Sequence, residues 1–116
     1  MSNNPVIVLN FDDVVYDYSS VGWEKDKLSG EPLEGVNEAI EELSDTYKVV
    51  IYSNRCKHKT QRNIVKEWLN EHINHYDELV YDIPPHYVFI SPKAKSFPRR
   101  WKEEFIDDLI AMNPDI

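Results

Sequence analysis

The sequence predicts an α/β fold, a three-layer α/β/α Rossmann-like domain with a mainly parallel sheet, and three observations carry that prediction. The stretches PVIVL (5–9) and YKVVIY (47–52) are short, apolar and rich in β-branched residues, as strands buried on both faces are. Each runs into a polar cluster, Asn10, Asp12 and Asp13 after the first and Ser53, Asn54 and Arg55 after the second. Each cluster is followed, sooner or later, by apolar residues at the three-and-four spacing of an amphipathic helix. Alternating strand and helix patterns imply parallel strands joined by right-handed crossovers. In such sheets ligands gather beyond the carboxyl ends of the strands, where both polar clusters fall.

Taken in order, the strand at 5–9 is followed by residues 16–33, which show no apolar period and carry Gly22, Gly30 and Pro32, so a long loop is expected. Its Tyr16, Tyr18 and Trp23 either form a lid over the strand end or pin the loop to the core. Val36, Ala39, Ile40 and Leu43 then mark one face of a helix over 34–45. The second strand, 47–52, precedes a helix over 60–74 with Ile64, Val65, Trp68, Leu69 and Ile73 inward and Thr60 as its N-cap. Shorter strands are expected at 78–81 and 87–90, separated by Asp82-Ile83-Pro84-Pro85, whose prolines exclude a central strand. Trp101, Phe105, Leu109 and Met112 recur at one-turn intervals, so the last helix docks through that stripe.

A chain of 116 residues, 41% hydrophobic with 14 aromatics, supports one core and is short for two ordinary domains; one domain over 1–116 is expected. No apolar run approaches the roughly 18 residues of a membrane span. MSNNPVIVLN has neither the basic region nor the apolar length of a signal peptide. Cys56 is the one cysteine, which excludes an intramolecular disulfide and a cysteine-based metal site. A cytoplasmic location is the expectation.

The net charge of −8 argues against general affinity for nucleic acid. Charge is unevenly placed, however. Eleven of the 21 acids lie within 12–45, and nine of the 13 bases lie in 55–62 and 93–102. Arg55, Lys57, Lys59 and Arg62 follow the second strand, and Lys93, Lys95, Arg99 and Arg100 follow the last. They either flank one anion-binding mouth, through which nucleic acid would also have to enter, or form a solvated face that balances the acidic segment. His72 and His75 have a spacing that can bind metal, but no carboxylate partner is evident and a solvated surface is expected, with no zinc site.

Two readings of the polar clusters remain on residues alone, plain turns or a site. The hydrophobic strand ending in Asn10-Phe11-Asp12-Asp13-Val14-Val15 resembles motif I of the haloacid dehalogenase-like (HAD) superfamily, hydrophobic residues followed by Asp-x-Asp-Gly-Thr/Val-Leu/Val. Gly30-Glu31-Pro32 resembles the family's Gly-x-Pro segment before its first helix, and VVIYSNR places Ser53 at the motif II Ser/Thr that holds phosphate. Trp68-Leu69 with Tyr76-Asp77-Glu78-Leu79-Val80 resembles the small members without a cap domain, many of them viral, in which a Lys-Pro and a strand ending in Ile-Asp-Asp-Arg follow.

The resemblance implies a HAD-like phosphatase fold in which the first motif I acid is the nucleophile, the second a general acid and base, and magnesium bridges both to phosphate. Those positions are Asn10 and Asp12. Asn10 supplies no carboxylate to attack phosphorus and is a weaker ligand for a hard cation. Asp13 replaces the motif I glycine. Ile83-Pro84-Pro85 replaces the motif III lysine, and Ser91-Pro92-Lys93 replaces the motif IV acids. An alternative register puts motif IV at Asp107 and Asp108, inside the stretch whose periodicity predicts the last helix.

The expectation is therefore a degenerate pseudo-phosphatase retained as a binding or regulatory module. Asp12 is its residual acid/base position and Asn10 its substituted nucleophile position. Asp13, Ser53, Asn54, Arg55 and Lys93 line a phosphate or other anion site. Magnesium is absent or weakly held by Asn10 and Asp12, and the partner is a small anionic ligand or a protein. Two alternatives stand beside it: a weak magnesium-dependent phosphohydrolase acting on nucleotides or phosphomonoesters through Asp12 with help from Asp13 or from Asp107 and Asp108, and an acidic interaction protein of viral or mobile-element origin.

Overall fold

The computed structural model describes residues 4–93, 97 and 100–112; Lys95 and Arg99 of the second basic segment lie outside the described residues. Four strands, β1 (Val6–Asn10), β2 (Lys48–Tyr52), β3 (Glu78–Val80) and β4 (Val88–Ile90), form one sheet in the order β3-β2-β1-β4. Every pairing is parallel, with Ile7 opposite Val49 and Val88, and Leu9 opposite Ile51 and Ile90. The helices are α1 (Tyr18–Val21), α2 (Val36–Leu43), α3 (Lys59–His72) and α4 (Glu103–Ala111). This is an α/β, Rossmann-like architecture, as the alternating patterns predict.

The strands form where β-branched residues bury both faces: Ile7, Val8 and Leu9 are fully enclosed, as are Val49, Val50 and Ile51 to within 1%. The two faces are covered differently. Ile7, Leu9, Val49, Ile51, Val88 and Ile90 share one apolar cluster with the inward residues of α2, α3 and α4. Val8 and Val50 point the other way and belong to no such cluster. Over them Tyr52 of β2 and Phe89 of β4 meet edge to face at 6.2 Å, although β1 runs between their strands. The rings must therefore lean together across Val8.

The second face is closed as well, with Val8 and Val50 0% and 1% exposed. The step from β3 back across the sheet to β4 is made without a helix, by the seven residues 81–87 with Pro84 and Pro85.

Three further differences follow from local packing. The loop over 16–33 contains the short helix α1. Thr60 is not the N-cap of α3; His58 holds that position and supplies no side-chain cap. In the last stretch Trp101 precedes α4, Ile106 and Leu109 are its buried residues, and Met112 is exposed. Trp101 is held instead by its indole N–H, which donates to the Val14 carbonyl at 2.8 Å, and by its backbone N–H to the Glu34 carbonyl. This packing requires Gly35, at φ 82°, where a Cβ would stand 2.5 Å from the Trp101 carbonyl oxygen. Asp107 and Asp108 are exposed on α4, so the register that made them strand-end acids does not hold.

Candidate functional site

The chain leaves β1 through a tight turn in which the N–H groups of Val15 and Tyr16 both donate to the Phe11 carbonyl. Asp13 adopts φ 62° there, the only non-glycine residue with a positive φ among the described residues. The turn sends two neighbouring carboxylates to different partners. Asp13 is buried and accepts from the backbone N–H and the hydroxyl of Ser19, at 2.8 and 2.7 Å, so it orders the start of the loop. Asp12 faces β2 and accepts from Nε and Nη2 of Arg55, at 3.2 and 2.9 Å. Asn10, the last residue of β1, donates its amide N–H to the Asp12 carbonyl at 2.7 Å.

Across the sheet edge, β2 ends at Ser53, which is 2% exposed. Its hydroxyl accepts the Arg55 N–H at 3.2 Å and so caps the 3-10 turn Asn54–Lys57. That turn directs the Arg55 side chain inward, where 6% of it remains exposed. Three rings surround the guanidinium, with Tyr16, Tyr18 and Trp23 centred 6.0, 5.6 and 4.8 Å from its central carbon. Such arrangements favour a cation most where water is excluded. The third nitrogen, Nη1, is fully buried and is the one buried side-chain nitrogen or oxygen without a hydrogen-bond partner among the described residues.

Tyr16 is the structural centre of this cage. Its ring is fully buried, stacked on Phe11 at 5.1 Å and edge-on to Trp68, and its hydroxyl accepts the Gly30 N–H at 3.1 Å. Burial pushes its phenol up from the ordinary range. Glu24, which that hydroxyl also approaches, is held below its ordinary value by the N–H and hydroxyl of Ser29. Cys56 is buried behind the turn, and burial raises its thiol.

Asp12, Trp23, Asn54, Arg55, Lys57 and His58 line a pocket of about 310 Å³ at this edge. A larger hollow of about 420 Å³ lies at the opposite end of the sheet, against Lys48, His75 and Asp77; it contains no unmet buried polar group and offers no comparable chemistry. Of the expected site residues, Asp12, Asn54 and Arg55 meet in the smaller pocket. Ser53 shapes it from beneath, and Asn10 and Asp13 are committed to backbone and loop. Lys93 is exposed beyond β4, with its N–H on the Ser91 hydroxyl at 3.2 Å, outside the pocket lining. Among the described residues, the basic side chains that line this pocket come from the first segment, and Arg55 is buried rather than a solvated rim charge.

Magnesium does not fit these residues. The two candidate ligands are a neutral amide and a carboxylate whose two oxygens already bind a guanidinium, a cation fixed where the metal would stand. No group of three or more His, Cys, Asp or Glu side chains gathers in a metal-holding arrangement among the described residues. His72 packs its ring on Trp68 at 4.7 Å, and His75 lies 3.7 Å from Asp77.

The cage itself is what sequence reading missed. Its signal was present: two tyrosines and a tryptophan in the loop after β1, and an arginine three residues beyond β2. Nothing in the sequence ties Arg55 to Asp12, 43 positions away. No helix among the described residues is long and apolar enough to cross a membrane. Comparison with protein-family models, with curated proteins and with solved structures finds no match for this chain.

Proposed function

We propose that this protein is a catalytically inert binding module, built on a HAD-like scaffold, that holds an anionic, phosphate-class ligand at the carboxyl edge of its sheet. The observation that carries the reading is the bidentate Arg55–Asp12 pair. With Asn10 neutral and Asp12 engaged on both oxygens, the edge retains positive and hydrogen-bonding groups but no free carboxylate to attack phosphorus.

Several features support the scaffold. Asp13 adopts a left-handed backbone at the position where the resembled motif has glycine. Gly30 lies against the Tyr16 ring, where a Cβ would come within 2.9 Å, as a fixed Gly-x-Pro segment should. The strand order brings Asn10, Ser53 and Ser91 to the same edge. The ligand class follows from charge: Lys57 and Lys59 are exposed beside the amino end of α3, a 14-residue helix with no side-chain cap, and uncapped N–H groups with the helix dipole attract anions.

Incubation with p-nitrophenyl phosphate and magnesium should release no phosphate above background. Inorganic phosphate should give saturable NMR shifts at the amides of Lys57, His58 and Lys59, weakened in Lys57→Gln. Magnesium-dependent turnover that disappears in Asp12→Ala would establish a phosphohydrolase and overturn this reading.

A further inference from the structure

We infer that the ligand of this pocket is a nucleoside monophosphate, with its base stacked on Trp23 and its phosphate at Lys57, the first turn of α3 and the unmet Nη1 of Arg55. The inference rests on the anion-binding reading above and adds the part of the ligand that phosphate alone would not supply.

Trp23 is 58% exposed, the most exposed large apolar side chain among the described residues. A single exposed aromatic is ordinary, but this one is placed. One face of the indole covers the Arg55 guanidinium at 4.8 Å, and the ring borders the pocket whose other wall is Lys57 and His58. Its loop is tied to α3, because Gln61 donates its amide N–H to the Lys25 carbonyl at 2.7 Å. The ring is thus held at a fixed position relative to the helix end that would take the phosphate, with the face away from Arg55 turned to solvent. A flat, electron-rich surface backed by a cation is a platform for a nucleobase, since every base has a π-face to offer.

Beneath the platform, Asp12 neutralises two of the three guanidinium nitrogens, and the third, buried and without an acceptor, is the polar group a phosphate oxygen would satisfy. Leaving such a donor unmet costs free energy in the empty state, so a ligand that reaches it gains from the contact. The pocket, about 310 Å³, is at the lower end of the range for small-ligand sites and suits one nucleotide. The net charge of −8 opposes a long polyanion.

Tryptophan fluorescence tests the inference, because Trp68 and Trp101 are buried and a surface quench reports on Trp23. AMP should quench the emission saturably and bind at least about 10-fold more tightly than inorganic phosphate, the order expected for one base stacked on an aromatic ring. Trp23→Ala, which removes one ring of the cage but no member of the apolar core, should bring the AMP-to-phosphate affinity ratio by calorimetry to about one, while Trp23→Phe retains most of it. Phosphate binding without a preference for AMP, or a preference that survives Trp23→Ala, would overturn the inference and leave the anion site standing. Binding of neither ligand would overturn both. A ten-nucleotide single strand that binds more tightly than AMP at equal salt would assign the site to nucleic acid and overturn the mononucleotide.

Discussion

The two ends of the sheet each carry an ion pair between neighbouring segments, and they differ in almost everything except charge. At the amino end Lys48 meets Glu78 at 3.3 Å with both side chains about half exposed. At the carboxyl end Arg55 meets Asp12 at 2.9 Å with the arginine 6% and the aspartate 33% exposed, under three aromatic rings. Water can replace either partner of the first pair. Only Asp12 has that recourse in the second, because the guanidinium has been removed from solvent and has no other acceptor for Nε and Nη2. The comparison teaches that the carboxyl edge is an asymmetric site: Arg55 depends on Asp12 more than Asp12 depends on Arg55.

The largest effect should come from breaking that dependence. Asp12→Ala leaves a buried guanidinium without a counter-charge and should lower unfolding free energy by about 3 kcal/mol or more. Arg55→Met, which fills the cage with a flexible apolar chain and leaves a carboxylate that water can reach, should cost about 1 kcal/mol. Urea denaturation of both variants decides the matter. Equal losses, or a greater loss for Arg55→Met, would mean that the pair is as symmetric as the one at the amino end.

A second test asks what the two ends share. Tyr16 beneath the cage and Tyr47 at the amino end, whose hydroxyl donates to the Leu109 carbonyl at 2.7 Å, are both raised by burial, as is the part-buried Tyr76. A phenol whose folded value lies above its unfolded value near 10 contributes stability that is complete below pH 10 and is lost as pH rises through the folded value. Stability should therefore fall above pH 10, by about 1.4 kcal/mol per pH unit for each phenol that titrates only on unfolding. In alkaline absorbance titrations these three should ionise only with loss of the fold. Early ionisation of Tyr16 alone would show that the cage opens locally.

How far the sequence could be read follows the same divide between local and distant effects. β1, β2, α2 and α3 were legible because each is set by its own apolar period, and the polar ends of β1 and β2 marked the right edge of the sheet. The helix-free step from β3 to β4 was legible too, since the stretch 81–87 is short and carries two prolines. The Arg55–Asp12 pair was not, because it depends on the twist of a tight turn after one strand and a 3-10 turn after another. A basic residue in a charged run looks solvated until its neighbours in space are known. The fate of Asp13 was hidden for a similar reason: its partner, Ser19, lies in a loop without periodicity.

The smallest expected effect completes the comparison. Lys48→Ala removes a partner from a half-exposed pair whose Coulomb gain in high dielectric is nearly cancelled by the order imposed on two long side chains, so stability should change by no more than about 0.5 kcal/mol. Salt sharpens the contrast. At 1 M the screening length falls to roughly 3 Å, shorter than the gap between the Lys48 and Glu78 charges, and the difference between wild type and Lys48→Ala should vanish in guanidine-free urea melts. The penalty of Asp12→Ala should persist under the same conditions, because a charge as buried as Arg55 is screened far less by mobile ions than an exposed pair. If 1 M salt erased both penalties alike, Arg55 would have to be accessible to solvent ions in solution, and its burial would no longer separate the two ends of the sheet.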